Sequence, residues 1–257
     1  MGINKNLYFG TDNAFSFSQY GCYISGDSVY NSPIRVYDEY EIPGRNGNLL
    51  VSQNRFANIE VTYPAFIFAS SQAEFATKMC DLRNKLYSYK GYQKITDDYH
   101  PDEFRLGVYL SGLEASPVHY NRAGEFTVSF NCKPQRFLTS GQTYTNIPAS
   151  TDYVITNPTP FEALPYMELD SVYYGATITI NGVDITVAAT SSSRTLSIDT
   201  ESGEAYLYYN GQSMNQYISI PGNEYPKLLP GENTVRFTKG SASSSTTLKI
   251  RPNWWRI

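Results

Sequence analysis

Charged side chains are scarce in this sequence, and their scarcity argues against a nucleic-acid partner. Asp, Glu, Lys and Arg make up 17% of the 257 residues, and the formal net charge is -4. Proteins that bind nucleic-acid phosphates need clustered Lys and Arg, which a weakly acidic chain does not supply. The composition therefore predicts no nucleic-acid binding.

Cysteine and histidine are also few, which argues against a metal centre or a disulfide framework. The three cysteines, Cys22, Cys80 and Cys132, include no CxxC pair, and we interpret them as buried small apolar residues. The two histidines, His100 and His119, lie in polar segments and are predicted to be solvated. We expect no metal site and no cofactor.

The sequence lacks the motifs of the common enzyme classes. No GxSxG elbow is present to supply a nucleophilic serine. The acids of residues 97–103 lack the spacing of a calcium loop and are interpreted as a polar loop. Those of residues 38–41 are interpreted as protection of a sheet edge rather than as a glycosidase pair. We therefore expect no catalytic residue and no enzymatic activity.

Long apolar runs are absent as well. No stretch approaches the roughly 18 apolar residues that a membrane-spanning helix requires. Residues 1–10 contain no apolar core of a signal peptide. The sequence predicts no membrane partner and synthesis in the cytoplasm.

Aromatic residues, by contrast, are abundant and favour β-strands. They make up 15% of the chain, and tyrosine alone contributes 23 residues. Apolar and polar residues alternate strongly over residues 1–69, with turn residues between the segments. This pattern predicts a mainly β fold.

One segment, SSQAEFATKMCDLRNKLYSYKG at residues 70–91, breaks the alternation and is predicted to be the one helix. Ser71 and Glu74 form a capping box, and Gly91 is expected to end the helix. The apolar residues follow the spacing of one helical face and are expected to pack on a sheet, namely Phe75, Met79, Leu82 and Leu86.

The segment EIPGRNGNLL, residues 41–50, is predicted to be a turn rather than a phosphate-binding loop. Its two glycines are too few for a phosphate-binding motif, and strand-like sequences flank it on both sides. Pro43-Gly44 favours a type II turn, and Asn46-Gly47 favours a type I′ hairpin turn.

The second half of the chain is predicted to be a separate β domain. The polar stretch at residues 138–151 is interpreted as a linker, which places the domains at 1–140 and 141–257. Short strands follow without helices, which is typical of a sandwich or jelly roll. The clearest hairpin folds at Asn181-Gly182, where Ile180 is expected opposite Val183 and Ile178 opposite Ile185.

Aromatic residues of the second domain are candidates for stacking on a sugar or on a protein partner. Aromatic residues are also common in β-strands for structural reasons alone, and composition does not distinguish these roles. The candidates are Tyr206, Tyr208, Tyr209, Trp254 and Trp255. Tyr206 and Tyr208 share one strand face while Leu207 and Tyr209 share the other, and one face must be core. We therefore expect weak or no binding of simple sugars.

The order of motifs along the chain resembles that of the siphophage distal tail proteins, the Dit family. The similarity lies in YGCYISG at 20–26, IPGRNGNLLVSQNRFANIEVTYPAFI at 42–67, FTVSFNCKPQRF at 126–137, and then NPTPFEALPYMEL, INGVDITV, IDTESGEAYL, PKLLPGENTVRF and IRPNWWRI. Asn46 departs from the family's commoner aspartate, and Cys22 stands where an aliphatic or aromatic residue is expected.

The resemblance implies a structural virion protein at the tail tip of a siphophage. It implies an N-terminal β-barrel-like domain with one helix that builds a hexameric ring, and a C-terminal galectin-like or carbohydrate-module-like sandwich. The implied partners are other copies of the chain, the major tail protein, the tail-associated protein and, as a further candidate, a receptor-binding protein. Arg45, in the turn, would be free to contact a neighbouring subunit.

The alternative is a lectin-like carbohydrate-binding protein in which the sandwich is the working part. Assembly state separates the two hypotheses, since a tail hub forms six-fold rings without ligand. The candidate interface or binding residues under either hypothesis are Arg45, Tyr206, Tyr208, Trp254 and Trp255.

Overall fold

The computed structural model describes residues 4–11, 15–25, 30–118, 122–242 and 244–257, so His119 lies outside the described residues. The chain divides into two compact units, one reaching Arg136 and including Ile257, the other spanning Phe137–Arg256. The fold is mainly β, as the sequence predicts, and the described residues hold one α-helix. That helix is neither long nor apolar enough to cross a membrane.

The strands of the first unit form a curled half-barrel sheet and a separate hairpin. They are β1 (Leu7–Phe9), β2 (Phe15–Ser16), β3 (Cys22–Ile24), β4 (Arg35–Tyr40), β5 (Leu49–Phe56), β6 (Ile59–Phe68), β7 (Gln93–Asp97), β8 (Glu103–Tyr109), β9 (Ala115–Val118) and β10 (Ala123–Leu138). The curled sheet has the order β2-β1-β7-β8-β10-β6-β3, and β9 pairs with β10. A short 3-10 helix, Phe17–Tyr20, precedes β3.

Helix α1 (Gln72–Ser88) lies where the sequence predicts it and packs on the core of this unit. Met79, Leu82 and Leu86 are buried in that core, and Phe75 is partly buried against it. The Ser71 hydroxyl accepts a hydrogen bond from the backbone N–H of Glu74, as an N-cap should. The helix ends at Ser88, so the expected stop at Gly91 comes three residues too late.

The turn between β4 and β5 is confirmed in one of its two parts. Arg45 N–H donates to the Ile42 carbonyl at 3.1 Å, and Gly44 has φ +81°, which is the geometry of a type II turn over Pro43-Gly44. The expected type I′ turn at Asn46-Gly47 is wrong, because that turn needs positive φ at both central residues and only Gly47 has it.

The second unit is a sandwich of two antiparallel sheets around one core. Its strands are β11 (Thr145–Ile147), β12 (Asp152–Asn157), β13 (Tyr166–Val172), β14 (Ala176–Ile180), β15 (Val183–Val187), β16 (Arg194–Asp199), β17 (Glu204–Leu207), β18 (Ile218–Ser219), β19 (Gly231–Lys239) and β20 (Thr247–Arg251). A last short strand, β21 (Trp255–Arg256), belongs to neither sheet of the sandwich. One sheet has the order β11-β20-β13-β16-β17, and the other β12-β19-β14-β15-β18. Short 3-10 helices lie at Thr139–Gln142, Asn215–Tyr217 and Pro221–Asn223.

The hairpin of β14 and β15 has the predicted register. Ile178 lies opposite Ile185, and Ile180 lies opposite Val183. Asn181 has φ +50° and Gly182 has φ +84°, as a type I′ turn requires. Alternation and turn chemistry are therefore sufficient to predict the register of this hairpin.

Candidate functional site

The hairpin of β4 and β5 exposes a group of apolar side chains that no core of the described residues covers. We call residues 35–56 the hairpin arm. Its two strands pair with each other and form a sheet of their own. Its large apolar side chains are between 38% and 56% exposed and are Tyr37, Tyr40, Ile42, Leu49, Leu50 and Val51. Strand pairing places Tyr40, Leu49 and Val51 on one face of the hairpin, and Tyr37 and Leu50 on the other. Large apolar side chains left exposed in this way mark a contact site for another molecule.

Polar cross-strand contacts hold the hairpin arm in shape. Gln53 Nε2 donates to Asp38 Oδ1 at 2.7 Å, and Asn48 Nδ2 donates to Glu39 Oε2 at 3.0 Å. These contacts explain part of the acidic pattern that the sequence places on β4. Arg45 lies exposed in the turn, and its guanidinium contacts no carboxylate in the described part of the chain. The arm therefore presents an apolar surface with a free cation at its tip.

The second candidate surface is the outer face of the sheet β11-β20-β13-β16-β17. Strand pairing places a row of aliphatic side chains on the inner face, made of Ile147, Leu248, Leu169, Leu196 and Leu207. The neighbouring positions therefore form a polar row on the outer face, made of Asn146, Lys249, Glu168, Ser197 and Tyr206. We call the resulting depression, of about 770 Å³, the sheet groove.

Side chains of the sheet groove contact one another. Tyr144 Oη donates to Glu168 Oε1 at 2.7 Å, and Tyr206 Oη donates to Tyr166 Oη at 3.2 Å. The Arg251 guanidinium lies over the Tyr166 ring, 4.6 Å from its centroid. Burial, followed by these hydrogen bonds, raises the pKa values of Tyr144 and Tyr206.

The candidate residues Tyr206 and Tyr208 both line the sheet groove, whereas the two tryptophans do not. Trp254 is 5% exposed and belongs to the core of the sandwich, so this candidate residue is not available to stack on a ligand. Trp255 stacks on Phe161 with ring centroids 4.4 Å apart, and its indole donates to the Glu162 carbonyl. The sequence pattern after β20, the last long strand, does not show that Trp254 is buried.

Residues 97–103 are not the solvated loop that the sequence predicts. Asp97 and Glu103 are buried, and Asp97 Oδ2 accepts a hydrogen bond from Tyr63 Oη at 3.1 Å. His100 is partly buried, and its Nδ1 lies 3.1 Å from Asp97 Oδ1. Glu103 pairs with Arg136 at 2.9 Å. The prediction that His100 is solvated is therefore wrong, because these polar groups form an internal network.

The cysteines are free thiols, and two of the three are buried as expected. Burial raises the pKa values of Cys22 and Cys132 to about 12. Cys80 is exposed on α1, which corrects the expectation for that residue. In the described part of the chain, no group of three or more His, Cys, Asp or Glu residues is placed to hold a metal ion.

Comparisons with known proteins find similarity to phage tail proteins. Residues 18–132 match the family model described as the phage tail protein RIFT-related domain. The crystal structure of the Dit protein (gp 19.1) of SPP1, described as a paradigm of the hub adsorption apparatus in phages that infect Gram-positive hosts, superposes with a TM-score of 0.72 at 12% identity, over 98% of this chain and 99% of that chain.

Two structures of the phage p2 baseplate in its activated conformation are also similar. The structure with Ca has a TM-score of 0.57 at 10% identity, over 96% of this chain and 98% of that chain. The structure with Sr has a TM-score of 0.56 at 10% identity, over 100% of this chain and 99% of that chain. No curated protein sequence matches the chain. Residues 18–132 thus match the model of the phage tail protein RIFT-related domain, and the whole chain has the fold of the Dit protein of SPP1.

Proposed function

We propose that this chain is a non-enzymatic structural protein of a siphophage tail tip, where it forms a hexameric ring that joins the tail tube to tail-associated or receptor-binding proteins. The observation that carries the proposal is the match in fold to a hub protein over nearly the full length of both chains. The tail-domain match over residues 18–132 supports the same role.

The hairpin arm supplies the physical argument for assembly. A two-stranded hairpin is marginally stable in water by itself, and this one exposes Leu49, Leu50 and Tyr40 to about half of their full extent. A closed ring needs a heterologous interface, in which one patch of a subunit meets a different patch of its neighbour. An apolar arm that its own core does not cover is suited to that contact.

We assign ring formation to residues 1–140, and we propose that residues 141–257 fold as a separate unit that forms no ring. The two hydrophobic cores are distinct clusters, one around Phe130 and Leu82 and the other around Ile178 and Phe237. Each cluster has the aliphatic and aromatic content of a domain core. Expressing the two segments separately and measuring their mass by light scattering tests this assignment, which fails if the second segment alone forms hexamers.

The decisive experiment measures the mass of the full chain by size-exclusion chromatography with light scattering, together with negative-stain imaging. We expect hexamers and six-fold rings. Leu50→Glu in the hairpin arm should shift the mass toward the monomer, because it buries a charge in the interface. Leu229→Glu is the matched control, since this leucine of the second unit is 45% exposed.

Two results would contradict the proposal. One is a full chain that stays monomeric at high concentration. The other is a ring that Leu50→Glu and Leu229→Glu disturb equally, since an equal effect would show that the hairpin arm is not part of the interface. Thermal unfolding of each variant distinguishes loss of assembly from loss of folding, because Leu50 is exposed and touches no core.

A further inference from the structure

We propose that the sheet groove of the second unit is a binding site for a neutral oligosaccharide chain. The inference goes beyond the proposed structural role and does not depend on ring formation. The depression measures about 770 Å³, which falls within the range of roughly 300–1,000 Å³ for small-ligand sites. The side chains that line it fit a ligand with many hydroxyl groups and apolar ring faces.

Tyrosine rings supply the apolar part of the site. Tyr208 is 63% exposed, and in the described part of the chain its ring stacks on no other aromatic residue. Tyr144 and Tyr206 are held by hydrogen bonds to Glu168 and Tyr166, so their rings are fixed before a ligand arrives. Rigid aromatic faces bury the C–H face of a sugar ring at little cost in conformational entropy.

The same face carries both hydrogen-bond donors and hydrogen-bond acceptors. The carboxylates of Glu168 and Asp199 can accept hydrogen bonds from hydroxyl groups, and the Asn146 amide, Lys249 and Arg251 can donate to them. Two acidic and two basic residues leave the lining without net charge. A balanced lining favours a neutral ligand over a phosphate or a polyanion, since either of those would need a surplus of cations.

A second depression indicates that the ligand is a chain rather than a single sugar. It measures about 400 Å³, and Ser192, Arg194 and Tyr209 contribute to its lining. Tyr208 lines both depressions, so its exposed ring stands where they meet. An extended oligosaccharide can lie in both and stack on Tyr208 between them.

This proposal departs from the expectation of weak sugar binding. That expectation depended on not knowing which face of β17 is core. Leu207 is fully buried, so Tyr206 and Tyr208 belong to the outer face and remain accessible from the groove.

The test is binding of the full-length protein to an array of neutral gluco-, galacto- and N-acetylglucosamine oligosaccharides of increasing length. We expect binding that strengthens from the monosaccharide to the longer members. Tyr208→Ala should weaken binding about tenfold through loss of stacking. Glu168→Gln should weaken it as well while the tyrosine rings remain. Tyr174→Ala is the matched control, since this tyrosine is 49% exposed in the same unit and lines neither depression.

Each outcome decides the proposal. No signal above background for any neutral glycan overturns it, and so does an equal loss for Tyr208→Ala and Tyr174→Ala. Binding confined to anionic glycans and abolished by salt would show that the ligand class is wrong. The light-scattering experiment on the hairpin arm measures assembly and not glycan binding. Failure of the ring proposal is therefore distinguishable from failure of the glycan proposal.

Discussion

Nδ2 of Asn181 donates a hydrogen bond to Oδ1 of Asn233 at 2.7 Å. Asn233 is 1% exposed, and its amide also accepts from Leu229 N–H and donates to the carbonyls of Leu229 and Gly231. Asn181 Oδ1 in turn accepts from Thr234 N–H at 3.1 Å. The turn of one hairpin is thereby joined to the start of β19.

Asn233→Ala should destabilise the second unit by about 2–4 kcal/mol, because it removes hydrogen bonds to several partly buried backbone groups at once. Glycine readily adopts the left-handed backbone conformation of residue 181, so Asn181→Gly should lower the stability of the second unit by less, about 1 kcal/mol. Urea unfolding followed by tryptophan fluorescence checks both, since Trp254 and Trp255 lie in this unit. Equal losses for the two variants would contradict the central role of Asn233.

Arg136→Met should destabilise the first unit by about 3–5 kcal/mol, because it leaves Glu103 as a buried charge without its guanidinium. The two side chains are 10% and 4% exposed. The double variant Glu103→Leu with Arg136→Met should recover much of the loss, since apolar residues can replace a buried pair. Far-UV circular dichroism of helix α1 reports unfolding of this unit. A double variant as unstable as the single one would argue that both residues have further essential contacts.

One thiol of the three should react with Ellman's reagent in the native protein at about pH 8, and all three in denaturant. Cys80 is exposed, whereas Cys22 and Cys132 are buried with pKa values raised to about 12. Cys80→Ser should abolish the native reaction. Rapid reaction of two or more thiols without denaturant would contradict the burial of these side chains.

Local chemistry explains why some elements could be predicted from the sequence. The register of β14 and β15 follows from alternation and an Asn-Gly turn, and α1 follows from its cap and its apolar stripe. Both depend on residues close together in the chain. The hairpin arm was predicted for the same reason, although its isolation from the core depends on the rest of the fold.

The sheet groove could be predicted only in part, because its side chains come from strands far apart in sequence. Tyr206 and Tyr208 were candidates, but Asn146, Glu168 and Lys249 meet only through the pairing of β11, β20 and β13. Alternation shows that a strand has two faces and does not show which one is covered. The burial of Trp254 was missed because this residue lies in an irregular segment between β20 and β21, where no alternation indicates which side is covered.

Glu74→Gln should lower stability most at neutral pH and least in acid. Hydrogen bonds from Lys78 and Ser70 lower the pKa of Glu74 from 4.5 to about 2 in the folded protein. A carboxyl group with a depressed folded pKa stabilises the fold above its unfolded pKa, and this contribution is lost as the pH falls toward the folded value. The melting temperatures of wild type and variant should therefore differ above about pH 5 and converge toward about pH 2.

The matched control for this pH dependence is Asp81→Asn, which removes the same charge from an exposed position of the same helix. It should show a smaller change across the pH range. The helix N-terminus and the Ser70 hydroxyl favour a negative charge in the first turn, at Glu74, and Asp81 lies beyond that turn. A gap between wild type and Glu74→Gln that stays constant from neutral pH to acid would mean that the side chain stabilises the helix by packing or propensity rather than by its charge.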